Sequence, residues 1–445
     1  MSNTSNSANS VTADDTKTIS NFKGWIALSP VLIFLLLYVA VSIITADFYK
    51  MPIAVALAVA SMWAVIINRR KKLLDRIEVF SRSAGHSNIL YMIWVFILAG
   101  AFAAIAKEIG AVDATVSLAL HSVPAQFVVP MLFLAACFIS LSIGTSVGTV
   151  VALTPLAVEI AEAGGGNTAF YVAVVLGGAF FGDNLSFISD TTIAATRSQG
   201  CDMSDKFKAN LWIALPAAVI TLSFYISAGI GNTPVTDIPR ADWPLVIPYI
   251  IVLATAIAGI NVTIVLSLGI ASALILGLIH DHGLVQMAGY AGTGIDGMGD
   301  LIIITLLAAG ILGLIKDNGG IRYILQKLTA HASGRRGAQA VIAVLVGVVN
   351  LCTANNTVAI ITVGEISRDI SNRFHIDPRK SASLLDSTSC IVQCLIPYGA
   401  QTLLATSLAG ISPVAPMPFL YYPWALAGMV ILSIVFLFPR SISRN

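Results

Sequence analysis

Apolar positions in this 445-residue chain fall in long runs rather than in alternation. Many runs approach the ~20 residues that carry a helix across a bilayer. They lie near 25–45, 51–67, 88–106, 124–163, 167–196 and 209–229, and again near 244–259, 262–280, 300–315, 337–366, 383–410 and 418–438. A hydrophilic linker, 231–243, separates the two sets. Four runs carry polar interruptions. The run 124–163 breaks at Gly144, Thr145 and Ser146, and 337–366 breaks at Thr353, Ala354, Asn355, Asn356 and Thr357. The run 167–196 holds Asp183, Asn184, Ser186, Ser189, Asp190, Thr191 and Thr192. The run 383–410 is interrupted at Asp386, Ser387, Thr388 and Ser389 and again at Pro397, Tyr398 and Gly399. Each half, 23–230 and 244–439, therefore reads as three spans, an interrupted hairpin, a broken span and a final span. The segment 144–149 answers 353–357, and 183–192 is paired with 386–389.

Composition fits this pattern. Hydrophobic residues make up 57% of the chain and charged residues 11%, against roughly 25% charged in soluble domains. That excludes a soluble globular protein and predicts an all-α polytopic membrane protein bathed in lipid. A net charge of +2 gives no reason to expect a nucleic-acid partner. Cys137, Cys352, Cys390 and Cys394 lie in apolar segments without the His or Cys spacing of a zinc site, so free buried thiols are expected. A Ser/His/Asp set, an H-E-x-x-H motif and a Walker loop are all missing, which argues against an enzyme or a nucleotide-driven pump. No cofactor is expected beyond a transported or coupling ion. Residues 1–22, rich in Ser, Thr, Asn and Asp, read as a disordered tail.

Basic clusters fall at 69–82, 197–208, 316–336, 368–380 and 440–444. The positive-inside rule puts all of them in the cytoplasm, together with both termini and the tail 440–445. This works only if 124–163 and 337–366 each enter and leave on one side, the first from outside and the second from inside. The halves then have opposite orientation, an inverted repeat of about five spans plus one re-entrant hairpin each, joined by an external linker.

Corresponding interruptions in two halves point to a transport site. Backbone in lipid must satisfy its own hydrogen bonds, so breaks occur only where protein or water lines them. Asp183 and Asp190 supply negative charge, and Ser186, Ser189, Thr191 and Thr192 supply hydroxyls, a hard-oxygen set suited to sodium. A sodium site at Asp183, Asp190 and Ser186 is expected. The hairpin tips bring Gly144, Thr145, Ser146, Thr353, Asn355, Asn356 and Thr357 to the ion or substrate, and Asp386, Ser387 and Ser389 come from the second broken span. Gln393 and Gln401 either touch a solute or bond across helices. Burial favours the protonated carboxyl and a bound cation favours the carboxylate, so proton and sodium compete for one group. That chemistry serves a sodium/proton antiporter, and equally sodium-coupled transport of an amino acid or small carboxylate.

Gly182, Asp183, Ser186, Ser189, Asp190, Thr191 and Thr192 resemble the GD-x-x-S-P-x-S-D-T-T signature of NhaC-type sodium/proton antiporters. Gly144, Thr145, Ser146, Gly148 and Thr149 resemble that family's G-T-S-W-G-T segment. Phe187 and Val147 stand where the family usually has Pro and Trp, which marks a divergent branch. The resemblance implies alternating access by a scaffold and an elevator-type transport domain, often in a homodimer, in a bacterial inner membrane. It leaves the transported partner open between sodium with protons and a small organic solute. The transport elements would be 124–229 and 337–438, and the scaffold 25–106 and 244–315.

Overall fold

The computed structural model describes residues 20–45, 51–67, 71–122, 124–186, 189–229, 242–258, 260–330 and 333–439. Most of the expected N-terminal tail, most of the linker, the C-terminal tail and Phe187 lie outside the described residues; Asn21 and Phe22, counted in that tail, instead open the first helix. Among the described residues the protein is all helical. The first half contains α1 (Asn21–Thr45), α2 (Ile53–Ile67), α3 (Leu73–Ala84), α4 (Ser87–Glu108), α5 (Ala111–Ser122), α6 (Ala125–Ile143), α7 (Ser146–Ala163), α8 (Thr168–Leu185), α9 (Asp190–Gln199) and α10 (Met203–Gly229). The second contains α11 (Ile247–Ile257), α12 (Val262–Ile279), α13 (Leu284–Asp296), α14 (Gly299–Asp317), α15 (Gly320–Thr329), α16 (Gly334–Thr353), α17 (Asn356–Arg373), α18 (Pro378–Leu395), α19 (Ala400–Leu408) and α20 (Tyr421–Val435). Among the described residues, eight stretches of helix are long and apolar enough to cross a membrane, and five shorter apolar helices accompany them.

The order of helices recurs. From α7 through α9, each helix begins 210 residues before its counterpart among α17–α19. The contacts recur with partners exchanged. Helix α3 packs on α14 while α13 packs on α4, and α9 packs on α17 while α19 packs on α7. Helices α10 and α20 pack on each other.

Two expectations change here. First, α3, α5, α13 and α15 are helices where loops were expected, because they are too short to read as spans and α3, α13 and α15 are one-sided rather than uniformly apolar. In α15, for example, Ile321, Tyr323 and Ile324 are buried while Arg322 is exposed. Second, Asp386–Ser389 does not interrupt its span. Helix α18 runs unbroken through these residues, and the break follows Leu395, at Ile396–Gly399. The uniform shift pairs Asp183 with Gln393, and Asp386 with Leu176. The pairing of 183–192 with 386–389 is therefore corrected: acidic side chains were matched where the backbone break is what repeats.

Helix α6 lies close against α8, through glycines. A Cβ at Gly182 would fall 2.3 Å from Ser140 Cβ and 2.4 Å from the Leu141 nitrogen, and one at Gly178 would fall 2.8 Å from the Phe133 carbonyl oxygen. Small residues permit such helix approach, as in other membrane bundles. Gly182→Val is expected to destabilise the protein by about 1–3 kcal/mol through overpacking, read as a lower melting temperature in detergent. An unchanged melting temperature would mean that α6 and α8 can separate freely.

Candidate ion-binding site

The two helical hairpins, α6–α7 and α16–α17, turn in the same way. Gly144 ends α6 with φ 73° and Ala354 ends α16 with φ 48°, both left-handed. Thr145 and Asn355 follow in extended conformation, with φ −149° and −148°. Asn355 caps α17 by accepting from the Val358 nitrogen at 3.0 Å. A left-handed conformation costs an L-residue roughly 1–2 kcal/mol, and glycine escapes that cost. Ala354→Gly is therefore expected to raise the melting temperature and Gly144→Ala to lower it. The opposite signs would show that the tips do not hold these angles.

Both tips meet both helix breaks around one cavity of about 320 Å³. Its lining includes Gly144, Thr145, Ser146, Asp183, Asp190, Thr191, Asn355, Asn356, Thr357, Gln393 and Gln401. Nine of the residues expected from the sequence thus border one space. Thr353 borders a neighbouring cavity instead. Asn184, Ser186, Ser189, Thr192, Asp386, Ser387 and Ser389 are not in the lining and stand behind it, all buried.

Asp183 occupies the last turn of α8 and is 5% exposed. Ser146 Oγ donates to its Oδ2 at 2.9 Å, and Thr191 Oγ1 approaches its Oδ1 at 3.5 Å. A polar chain continues from there across all four interruptions. Gln401 Nε2 donates to Ser146 Oγ at 3.0 Å, and Gln393 Nε2 donates to Gln401 Oε1 at 3.0 Å and to the Ala354 carbonyl at 2.9 Å. Gln393 and Gln401 therefore both face the cavity and bond across helices. Among the described residues, Asp183 forms no ion pair. Asp190, the first residue of α9, is exposed and borders the cavity mouth. Its charge also suits the positive end of that helix.

The buried hydroxyls of the first break hold the backbone. Ser189 Oγ accepts from the Thr192 nitrogen at 3.2 Å and lies 3.0 Å from the Asp183 carbonyl. Thr192 Oγ1 donates to the Ser186 carbonyl at 2.7 Å. Ser186 Oγ donates to the Leu141 carbonyl at 3.3 Å, which ties the break to the first hairpin and turns this hydroxyl away from the cavity. Breaks of this kind persist at membrane depth only when their freed groups find such partners.

A second polar centre lies behind the first, and sequence reasoning missed its key member. Lys206, counted among the cytoplasmic basic residues, is fully buried and forms an ion pair with the fully buried Asp386. Its Nζ also donates to the Asn184 carbonyl at 2.6 Å and to Thr192 Oγ1 at 2.7 Å. Asn210 Nδ2 donates to Asp386 Oδ2 at 3.0 Å and also contacts Asn184. Asp386 is thus held by a cation of the protein itself. The available signal was periodicity: Lys206 and Asn210 lie on the same helix face as the buried Ile213, Ala217 and Thr221.

The model of the Na+/H+ antiporter family matches residues 7–230 and 241–439. A Malate-2H(+)/Na(+)-lactate antiporter of Bacillus subtilis is 23% identical over 91% of this chain and 94% of its own length. The Na(+)/H(+) antiporter NhaC of Alkalihalophilus pseudofirmus is 24% identical over 76% of this chain and 80% of its own. An Arginine/ornithine antiporter ArcD of Halobacterium salinarum is 23% identical over 69% and 70%. Among solved structures, the Alcanivorax borkumensis YdaH transporter covers 93% of this chain and 99% of its own at 13% identity and a TM-score of 0.41. With the family match extending through both halves and both helix breaks, this integral membrane chain belongs to the Na+/H+ antiporter family, NhaC type, and is an antiporter rather than an enzyme.

Proposed function

We propose that the protein exchanges sodium for protons at Asp183. One observation carries this reading. Of two carboxylates buried at the centre, Asp386 has a resident ammonium and Asp183 has none, yet Asp183 borders the cavity. A buried carboxylate without a fixed counter-ion binds either a proton or a mobile cation. Thr191 Oγ1, Ser146 Oγ and the hairpin-tip residues Thr145, Asn355 and Asn356 offer the remaining oxygens, a hard-donor set appropriate to sodium.

The two halves form an inverted repeat in this reading, supported by the recurring helix order and the exchanged contacts. With the termini in the cytoplasm, Tyr91 and Asn261 border the cavity from the cytoplasmic side. A second cavity, of about 230 Å³ and lined by His86, Lys316 and Thr362, reaches Asn355 from the same side. The conformation therefore faces inward, and alternating access requires the hairpins and broken helices to shift against α1–α4 and α11–α14.

Exchange of a small organic solute is the second reading. A water molecule takes up about 30 Å³ of liquid, so the cavity has room for more than one desolvated ion. Gln393, Gln401, Asn355 and Asn356 offer amides that suit a carboxylate or an amino acid, and two of the relatives carry the names of organic-solute antiporters.

Purified protein in liposomes with an internal pH dye distinguishes the readings. A sodium gradient alone is expected to drive proton movement. Silence until a carboxylate or amino acid is added would transfer the assignment to the second reading.

A further inference from the structure

Lys206 is held as a metal cation would be. Its ammonium has three oxygen partners: the Asn184 carbonyl, Thr192 Oγ1 and the Asp386 carboxylate. They come from α8, α9 and α18, and so from both halves of the chain. The Asn184 carbonyl lies in the last turn of α8, which ends at Leu185, where carbonyls have no partner within the helix. A structural ion pair needs only a carboxylate. This set also gathers a freed carbonyl and a hydroxyl, the hard neutral oxygens that complete a cation shell. Asn210 Nδ2 donates to two of the same oxygens, the Asn184 carbonyl and Asp386 Oδ2, and so holds the set in place from the other side.

We infer that this is a second cation site, permanently filled in this chain by the Lys206 ammonium, so that Lys206 limits how many mobile ions the transporter carries. Shortening Lys206 vacates the oxygens and leaves Asp386 buried and uncompensated, and a sodium ion then takes the place of the ammonium. A chain of hydroxyls joins the two centres: Thr191 Oγ1 approaches Asp183 Oδ1 and lies 3.0 Å from Ser189 Oγ, which bonds Thr192 Oγ1, itself a partner of the Lys206 ammonium. The charge at the second site is therefore felt at the first.

The test is made in an Asp183→Asn background, which removes the exchange site proposed above. Thermal stability of the purified full chain is titrated with sodium chloride against choline chloride at constant ionic strength. Asp183→Asn with Lys206→Ala is expected to gain a saturable, sodium-dependent rise of several degrees. Adding Asp386→Asn is expected to remove it, and Lys206→Met, which fills the space with an apolar chain, is expected to show none. Lys206→Ser serves as a second vacating variant. The inference is overturned if both vacating variants melt alike in sodium and choline, or if neither can be recovered folded in high sodium. Sodium stabilisation already present in Asp183→Asn alone would count against the Asp183 assignment, while the gain on vacating Lys206 would still decide this one.

Discussion

Asp183→Asn is expected to reduce sodium-driven proton movement in liposomes to the level of protein-free vesicles while leaving the melting temperature close to that of the wild type. Asparagine keeps the shape of the side chain; its oxygen accepts from Ser146 Oγ in place of Asp183 Oδ2, at 2.9 Å in the wild type, and its Nδ2 then faces Thr191 Oγ1, which can turn to accept instead of donate. Only the charge disappears, and with it the competition between proton and cation for one group. In the wild type, acidifying the medium is expected to raise the sodium concentration needed for half-maximal rate. Asp190→Asn is expected to act differently. That side chain is exposed at the cavity mouth, where water screens its charge, so the change should weaken apparent sodium affinity and leave the maximal rate largely intact. Full exchange by Asp183→Asn with unchanged sodium and pH dependence would remove Asp183 from the mechanism. Loss by Asp190→Asn equal to that by Asp183→Asn would place the ion nearer the mouth.

The elements legible in the sequence are those whose physics is local. Long apolar runs, Gly144 at one hairpin tip and the Asn-rich tip at 355–356 mark themselves without reference to the rest of the chain. The signature around Asp183 and Asp190 places the first break to within a few residues. Of the two interruptions read in the second broken span, the one at Pro397, Tyr398 and Gly399 falls on the break and the one at Asp386–Ser389 does not, because the polar groups of this half are not copies of the first. Gln393 and Gln401 stand where the first half has Asp183 and Thr191, and Asp386 sits seven residues before Gln393, within a continuous helix. Amphipathic helices such as α3 and α15 fall below the hydrophobicity of a span, and their basic residues read as loop charge. Lys206 was concealed for the same reason. In sequence it belongs to a basic cytoplasmic cluster, and only the packing of α10 against α18 turns its ammonium inward.

The buried ion pair carries the largest expected effect on stability. In sodium-free medium, Lys206→Met is expected to cost about 3–5 kcal/mol, because Asp386 remains fully buried with its charge uncompensated. The double change Lys206→Met with Asp386→Leu is expected to recover most of that loss, since a buried ion pair contributes little beyond an apolar pair of similar volume. Asn210 Nδ2 would then lose one acceptor and keep the Asn184 carbonyl at 3.0 Å, so recovery should be incomplete by roughly one hydrogen bond, about 1 kcal/mol. The strongly non-additive cycle is the signature to look for in melting temperatures of all four proteins. Additive losses would mean that Lys206 is stabilised chiefly by Asn184 and Thr192, and that Asp386 tolerates its burial without it. A recovered double variant also bears on function: with both charges gone and the Asp183 cavity intact, any change in exchange must arise from the lost charge behind Thr191 rather than from collapse of the fold.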